Sequence, residues 1–235
     1  MPEYKKQHYV PQLILRYFST DREKKCTNVF NPDKEFYKRD CPLKDQAQEN
    51  YFYGENGEIE KSLSNIESKV APILLSIVRD IKAPSIDTED YGDLLIFTLL
   101  LGGRTRFVAE RSNEVLNKLF QELAIVGDKP SVKEKNIRIK HKRPAVEILR
   151  ATVKALKGAD DLKMKLVVNK TKIKFITSDN PVVKYNQYLE MRNHPGGHTG
   201  LLNKGLQIFF PLSPDLMIHY YDDWAYKVGD RKKLF

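Results

Sequence analysis

The chain has 235 residues, 41% of them hydrophobic, and a formal net charge of +9. This length provides a sizeable buried core, so we expect a single domain spanning residues 1–235. Three classes of protein are excluded: no apolar run is long enough to cross a bilayer, the N-terminus lacks the apolar segment of a secretory signal, and two cysteines cannot form a disulfide framework. The expected location is the cytoplasm, with reduced thiols and no membrane association.

The positive charge is concentrated in one segment. Residues 129–174 contain fifteen Lys or Arg and four Asp or Glu, which leaves the rest of the chain slightly acidic. A local basic patch attracts phosphate backbones in a salt-dependent way, so nucleic acid is a candidate partner of this segment. A solvated helix and hairpin in a lysine-rich protein would carry the same charges without any partner.

The N-terminal part predicts a short helix followed by a β-hairpin. Pro11 suits the first helical turn, where its missing N–H costs nothing, and His8 lies just before the N-terminus of that helix. Residues 27–31 and 35–38 are typical of two strands joined by an Asn-Pro-Asp turn.

Helical periodicity dominates the middle of the chain, from about residue 58 to residue 157. Apolar residues at helical spacing predict helices over about residues 58–81, 88–125 and 144–156, the second of them kinked at Gly102-Gly103. The part after this helical region, about residues 163–228, is rich in β-branched and aromatic residues and predicts strands instead.

Four strands are predicted in this C-terminal part, at residues 164–168, 172–177, 206–210 and 216–221. The first two read as a hairpin around Asn169-Lys170. The order of elements predicts an α+β fold in which the helical middle packs on a mixed or antiparallel sheet built from the N-terminal hairpin and the C-terminal strands. The last residues carry no helix cap or strand end, and we expect the chain to be truncated there.

Two charged residues interrupt the apolar stripes of the long helices. Glu67 belongs to the stripe of the first helix and Arg104 to that of the second. An isolated buried charge is very costly, so each side chain is expected to be paired. Two interpretations remain: an ion pair that fixes how the helices cross, or the charged floor of a functional pocket.

Two further polar motifs lie outside the helices. Ser178-Asp179-Asn180 follows a predicted strand, a common position for catalytic or ligand-binding groups, although Asp179 could simply cap backbone amides in an Asx-type turn. His8 titrates near neutrality and could act as a general acid or base, but a histidine before a helix also serves as a capping or packing group.

Taken together, these motifs resemble the prokaryotic protein family DUF4238, a domain of unknown function. The resemblance covers nearly the whole chain and is carried by His8-Tyr9-Val10-Pro11, Leu15-Arg16, Phe18, Tyr53, Ile66-Glu67, Arg104-Thr105, Thr177-Ser178-Asp179-Asn180-Pro181 and Pro211-Leu212-Ser213-Pro214. It implies no reaction. It does imply that His8, Glu67, Arg104 and Asp179 are the polar residues that match the family pattern, and that members extend further past the last strand.

These observations lead to two functional hypotheses. The first is an enzyme that acts on nucleic acid or nucleotide phosphodiesters, an RNase-like effector, with His8, Glu67, Arg104 and Asp179 as catalytic residues. Its substrate-binding residues would be Arg16, Ser178, Asn180, Lys140, Lys142 and Arg143. No metal site or cofactor is predicted, although Glu67 and Asp179 could share a Mg²⁺. The second hypothesis is a non-catalytic module of a prokaryotic stress or phage-defence system that binds nucleic acid or protein.

Overall fold

The computed structural model describes residues 5–126 and 137–229 of the chain. Its strands are β1 (Lys6–His8), β2 (Cys26–Asn31), β3 (Phe36–Pro42), β4 (Gln48–Asn50), β5 (Lys163–Val168), β6 (Val183–Tyr185), β7 (Gln207–Ser213) and β8 (Leu216–Tyr221). Its α-helices are α1 (Gln12–Leu15), α2 (Glu58–Asp80), α3 (Glu89–Gly103), α4 (Arg106–Val126), α5 (Pro144–Ala155) and α6 (Gln187–Glu190). Long helices occupy the middle of the sequence, and strands that form antiparallel sheets precede and follow them in the sequence. This order confirms the predicted α+β class.

Within the described residues, the strands form three separate antiparallel sheets. β1 pairs with β4, β2 pairs with β3, and the C-terminal strands make a four-stranded sheet in the order β5-β8-β7-β6. The expected joining of the N-terminal hairpin to the C-terminal strands does not occur. Six of the seven residues of β3 are exposed, including Phe36 and Tyr37, so this strand is not covered by the larger sheet.

Helix α3 lies at the centre of the core. It is buried on nearly all sides, with α2 and α5 packed against it and the four-stranded sheet also in contact. Phe97 of α3 meets Phe210 of β7 with ring centroids 6.3 Å apart, and Tyr91 meets Tyr220 of β8 at 6.2 Å. Each such ring buries a large apolar area, and these contacts hold α3 against the four-stranded sheet.

The strand predicted at residues 172–177 is absent, so that prediction was wrong. This segment runs beside the β7–β8 turn, where the N–H of Phe175 donates to the carbonyl of Pro214, but it joins no ladder. The side chains of Ile173 and Ile176 are 84% and 81% exposed. The Asn169 side chain bonds within its own turn, to the backbone of Thr171 and Ile173, and this local bonding replaces strand pairing.

The predicted helix over residues 88–125 is two helices, and the break follows the glycine pair. A Cβ on Gly102 would lie 3.1 Å from Cγ1 of Val182, and one on Gly103 would lie 2.8 Å from Oγ1 of Thr152. The glycines therefore allow close packing of the end of α3 against the chain before β6 and against α5. Thr105 then caps α4, since its hydroxyl accepts the N–H of Val108 at 3.4 Å.

No helix within residues 5–126 and 137–229 combines the length and the apolar character needed to cross a membrane.

Candidate functional site

Strand β1 places His8 beside the ends of the long helices. The buried side chain of Gln7 fixes the strand: its Nε2 donates to the carbonyl of Gly54 at 2.8 Å and its Oε1 accepts the N–H of Tyr53 at 2.6 Å. Successive side chains in a strand point to opposite faces. His8 consequently lies on the other face, partly buried.

The imidazole of His8 is neutral and bonded at both nitrogens. Its Nδ1 lies 3.1 Å from the carbonyl oxygen of Gln46, and since a carbonyl only accepts, Nδ1 carries the proton. Its Nε2 lies 3.1 Å from Nε2 of Gln12, whose amide donates to it. Burial lowers the pKa of His8; the Gln46 carbonyl and the charge of Glu67 oppose this shift, and the charge of Arg104 adds to it. His8 is thus a base at neutral pH.

Glu67 and Arg104 form an ion pair between α2 and the end of α3. Nη2 of Arg104 donates to Oε1 of Glu67 at 2.7 Å. The Arg104 side chain is only 2% exposed, whereas that of Glu67 is 27% exposed. Glu67 is therefore the member of the pair whose side chain reaches solvent. Nε of Arg104 is buried and has no hydrogen-bond partner among the described residues.

A second carboxyl group, Glu60, belongs to this cluster and was missed in the sequence. Burial raises its pKa; the charge of Arg104 opposes this shift, and that of Glu67 adds to it. Its Oε2 is buried with no partner in the described part of the chain. Glu60 precedes Glu67 by seven residues, which places both on one face of α2, and this spacing was the available signal.

Asn180 ties the C-terminal motif to the break between α3 and α4. The hydroxyl of Thr105 donates to Oδ1 of Asn180 at 3.0 Å, and the N–H of Asn180 donates to Oγ of Ser178 at 3.0 Å. The turn is thus capped by Ser178 and not by Asp179. Asp179 is exposed, and its charge is one cause of the raised pKa of Tyr9, after burial.

The four proposed catalytic residues come from four parts of the chain, and the structure brings three of them together. His8, Glu67 and Arg104 are close enough for their charges to act on one another. Asp179 is linked to them through Tyr9, the neighbour of His8. Arg16 is exposed on the helical turn that follows α1, and it forms no ion pair within the described residues.

A cavity with a volume of about 390 Å³ lies close to this cluster. It is lined by Glu49, Tyr51, Phe52, Gly54, Glu55, Arg106, Ala109, Glu110, Asn113, Lys142, Arg143, Pro144 and Ala145. Phe52 connects it to the cluster, since its ring centroid is 5.4 Å from that of Tyr9. None of the four proposed catalytic residues lines the cavity.

Two of the proposed substrate-binding residues, Lys142 and Arg143, line this cavity, and Lys140 does not. The guanidinium of Arg143 covers Gly54: a Cβ there would lie 2.9 Å from its Nη1. Neither Lys142 nor Arg143 forms an ion pair with a described carboxylate, so both charges are available to an anion.

Most of the basic segment does not converge on this cavity. Lys174 pairs with Asp215 and Arg150 with Glu147, both on exposed surfaces. The part of the segment at residues 129–136 lies outside the described residues.

No three His, Cys, Asp or Glu side chains cluster as metal ligands in the described ranges. Of the two carboxylates that could share a Mg²⁺, Glu67 is bound to Arg104, and Asp179 is exposed.

Comparison with known proteins gives one match. A family model described as "Protein of unknown function (DUF4238)" matches residues 6–234. Neither the curated proteins nor the solved structures contain a match to this chain.

Proposed function

Because the chain belongs to the DUF4238 family, whose description names no reaction, we propose a function from its own residues: cleavage of phosphodiester bonds in RNA. The observation that carries the proposal is the partly buried imidazole of His8, hydrogen-bonded at both nitrogens and lying in the electrostatic field of the Glu67–Arg104 pair. A base poised in this way, beside a solvent-facing carboxylate, is typical of acid–base catalysis.

His8 is the proposed general base. Its Nε2 takes the proton of a ribose 2′-hydroxyl, the 2′-oxygen bonds to phosphorus, and the bond from phosphorus to the 5′-oxygen breaks. The leaving oxygen takes a proton from water. The amide of Gln12, which occupies Nε2 in the free protein, gives way to the hydroxyl. RNA is favoured because its nucleophile is already adjacent to phosphorus, so that one base can start the reaction.

Glu67 and Arg104 have different roles in this proposal. The carboxylate of Glu67 stabilises the positive charge that His8 acquires, in line with its raising effect on the pKa of His8. Arg104 is too deeply buried to reach a phosphate and acts as a positioning residue for Glu67. Lys142 and Arg143, the two cavity cations without an ion pair among the described residues, bind a neighbouring phosphate of the strand, since His8 does not line their cavity.

The experiment is a comparison of RNA and DNA strands of the same sequence as substrates. The proposal expects cleavage of RNA alone, with 2′,3′-cyclic phosphate ends detectable by mass spectrometry. Cleavage of DNA at a similar rate would contradict attack by the 2′-hydroxyl. The proposal assigns the activity to the cytoplasm, and the two unpaired cysteines, Cys26 and Cys41, are consistent with that compartment.

A second function is favoured by the burial of Arg104. A guanidinium that is 2% exposed and bonded to Glu67 serves equally to fix the crossing of two helices. The chain would then be a non-catalytic module that binds nucleic acid or protein in a prokaryotic stress or phage-defence system. RNA binding without cleavage, unchanged in the His8→Ala protein, would favour this alternative.

A further inference from the structure

The segment between β6 and β7 is held in one conformation by a single buried side chain. Asn186 is 1% exposed, and its Nδ2 donates to the carbonyls of His198 and Lys204, each at 2.9 Å. Its Oδ1 accepts the N–H of Leu189 at 3.0 Å. Three separate points of this long loop are thereby fixed to one residue, so the side chains that the loop presents are preorganised.

Two aromatic rings meet on the outside of this segment. Tyr188 and Trp224 pack edge to face, with centroids 5.5 Å apart and planes at 78°. Their backbones are anchored: the hydroxyl of Tyr226 accepts the N–H of Tyr188 at 2.9 Å, and Oδ1 of Asp222 accepts the N–H of Trp224 at 2.9 Å. Even so, Trp224 is 61% exposed, which is unusual for the largest apolar side chain.

A cation accompanies each ring. Cζ of Arg192 lies 3.7 Å from the ring centroid of Tyr188, and Nζ of Lys204 lies 4.6 Å from that of Trp224. Neither cation forms an ion pair with a carboxylate of the described residues. Two nearby acidic groups are hydrogen-bonded elsewhere: Asp222 accepts backbone N–H groups, including that of Gly205 at 2.7 Å, and Glu190 accepts the hydroxyl of Tyr185. Asp223, directly before Trp224 in the sequence, is a third nearby carboxylate.

We propose that Tyr188, Arg192, Lys204 and Trp224 form a stacking platform for single-stranded nucleic acid. The exposed ring of Trp224 next to unpaired cations fits a ligand in which flat bases alternate with phosphates, because a base stacks on the free face of the indole and phosphates pair with the cations. A cationic ligand is disfavoured, since each ring already has a positive charge against it. Duplex DNA is disfavoured as well, since its bases are stacked on one another.

The platform is distinct from the proposed catalytic residues and concerns binding alone. Single-stranded DNA is therefore the appropriate probe, because it lacks the 2′-hydroxyl and would remain intact even if RNA is cleaved. A failure of the platform and a failure of the catalytic proposal are then separate results.

Trp224 is the single tryptophan of the chain, so its fluorescence reports on the platform directly. We expect single-stranded DNA of about twelve nucleotides to quench this fluorescence in a saturable way. Heparin, a polyanion without bases, tests charge alone and should leave the fluorescence largely unchanged. Absence of quenching by single-stranded DNA, or equal quenching by heparin, would overturn the proposal.

Variants test the same platform with labelled single-stranded DNA and fluorescence anisotropy. Trp224→Ala should weaken binding roughly tenfold, whereas Trp224→Phe should retain most of it. Phe30→Ala is the matched control, because Phe30 is also 61% exposed but lies on the N-terminal hairpin. Thermal melting checks that each variant is folded. A Phe30→Ala protein that loses as much affinity as Trp224→Ala would show that the platform has no special role.

Discussion

Nη2 of Arg104 lies 2.7 Å from Oε1 of Glu67, and the exposures of the two side chains differ more than tenfold, 2% against 27%. The pair joins α2 to the end of α3. Arg104 directly precedes Thr105, whose hydroxyl donates to Asn180. The Glu67–Arg104 pair thus links the helical core to the surroundings of His8. Its removal should affect both stability and the proposed catalysis.

Removal of one partner should be costly. Glu67→Ala leaves the buried Arg104 guanidinium without its ion-pair partner, and we expect a loss of about 3 kcal/mol in the free energy of unfolding. Arg111→Ala is the control, because the Arg111–Glu114 pair is exposed on both sides and should contribute less than about 1 kcal/mol. Chemical denaturation measures both. Equal small losses would mean that the buried pair contributes no more than a surface one.

The pH dependence of stability should reveal His8. Its folded-state pKa is lowered from 6.5 by burial, so the unfolded chain binds the proton more readily than the folded protein does. Stability is therefore complete above about pH 6.5 and is lost as the pH falls toward the folded pKa. As the pH falls over this range, the unfolding free energy of the wild type should decrease more than that of His8→Gln. His219, whose pKa burial also lowers, is present in both proteins and cancels.

Substitutions of two glycines allow the cost of backbone strain to be measured separately from the cost of displacing Arg143. Gly54 and Gly196 both have a φ of +114°, but a Cβ on Gly54 would meet Arg143 and one on Gly196 would meet nothing within 4 Å. Gly196→Ala should thus cost only the strain, about 1 kcal/mol or slightly more. Gly54→Ala should cost more and should also weaken RNA binding, because it displaces the cation of the cavity. Calorimetry and a binding titration check this, and equal effects of the two variants would contradict it.

Thr105 should matter more than an ordinary helix cap. Thr105→Val removes the cap of α4 and the hydrogen bond to Asn180, whereas Thr88→Val removes the cap of α3 at an exposed position. We expect a loss of about 1 kcal/mol from Thr88→Val, and about twice that from Thr105→Val, since the partner oxygen of Asn180 is left unsatisfied. Denaturation curves give both values. Similar losses of unfolding free energy in the two variants would mean that the hydrogen bond to Asn180 contributes nothing to stability.

Much of the fold followed from periodicity. The helix at α2, the helix at α5 and the strand at β8 have long, regular apolar patterns and were predicted to within a residue or two. The three-residue strands β1, β4 and β6 were missed, because so few residues carry no measurable alternation. The residues at 172–177 do alternate in a strand-like way, yet the turn at Asn169 and the solvent exposure of Ile173 keep them out of the sheet.

Helix α4 shows the limit of apolar spacing more clearly. Val115 and Leu119 lie four residues apart, the apolar spacing on which the helix over residues 88–125 was predicted, but they are 57% and 51% exposed. Arg111, four residues before Val115, pairs with Glu114 at the surface. Spacing identifies which residues share a face, and it contains no information on whether another element covers that face.

The candidate site was predictable in part. The pairing of Glu67 with Arg104 followed from two charges in apolar stripes, and it is observed. Gln7, Gln12 and Glu60 were not recognised, because glutamine and glutamate are common at surfaces and their partners lie far away in sequence. Which cations reach a common cavity depends on tertiary contacts, so Lys142 and Arg143 could not be separated from Lys140 in advance.

The central claim is that His8 is the base of an RNA-cleaving site, and single-turnover cleavage of a short RNA tests it most directly. His8→Ala should lower the rate by about a hundredfold or more, while the affinity for RNA and the melting temperature stay close to those of the wild type. His194→Ala, which removes an exposed loop histidine, should cleave at the wild-type rate and controls for contaminating nuclease. Cleavage at equal rates by wild type, His8→Ala and His194→Ala would contradict the account.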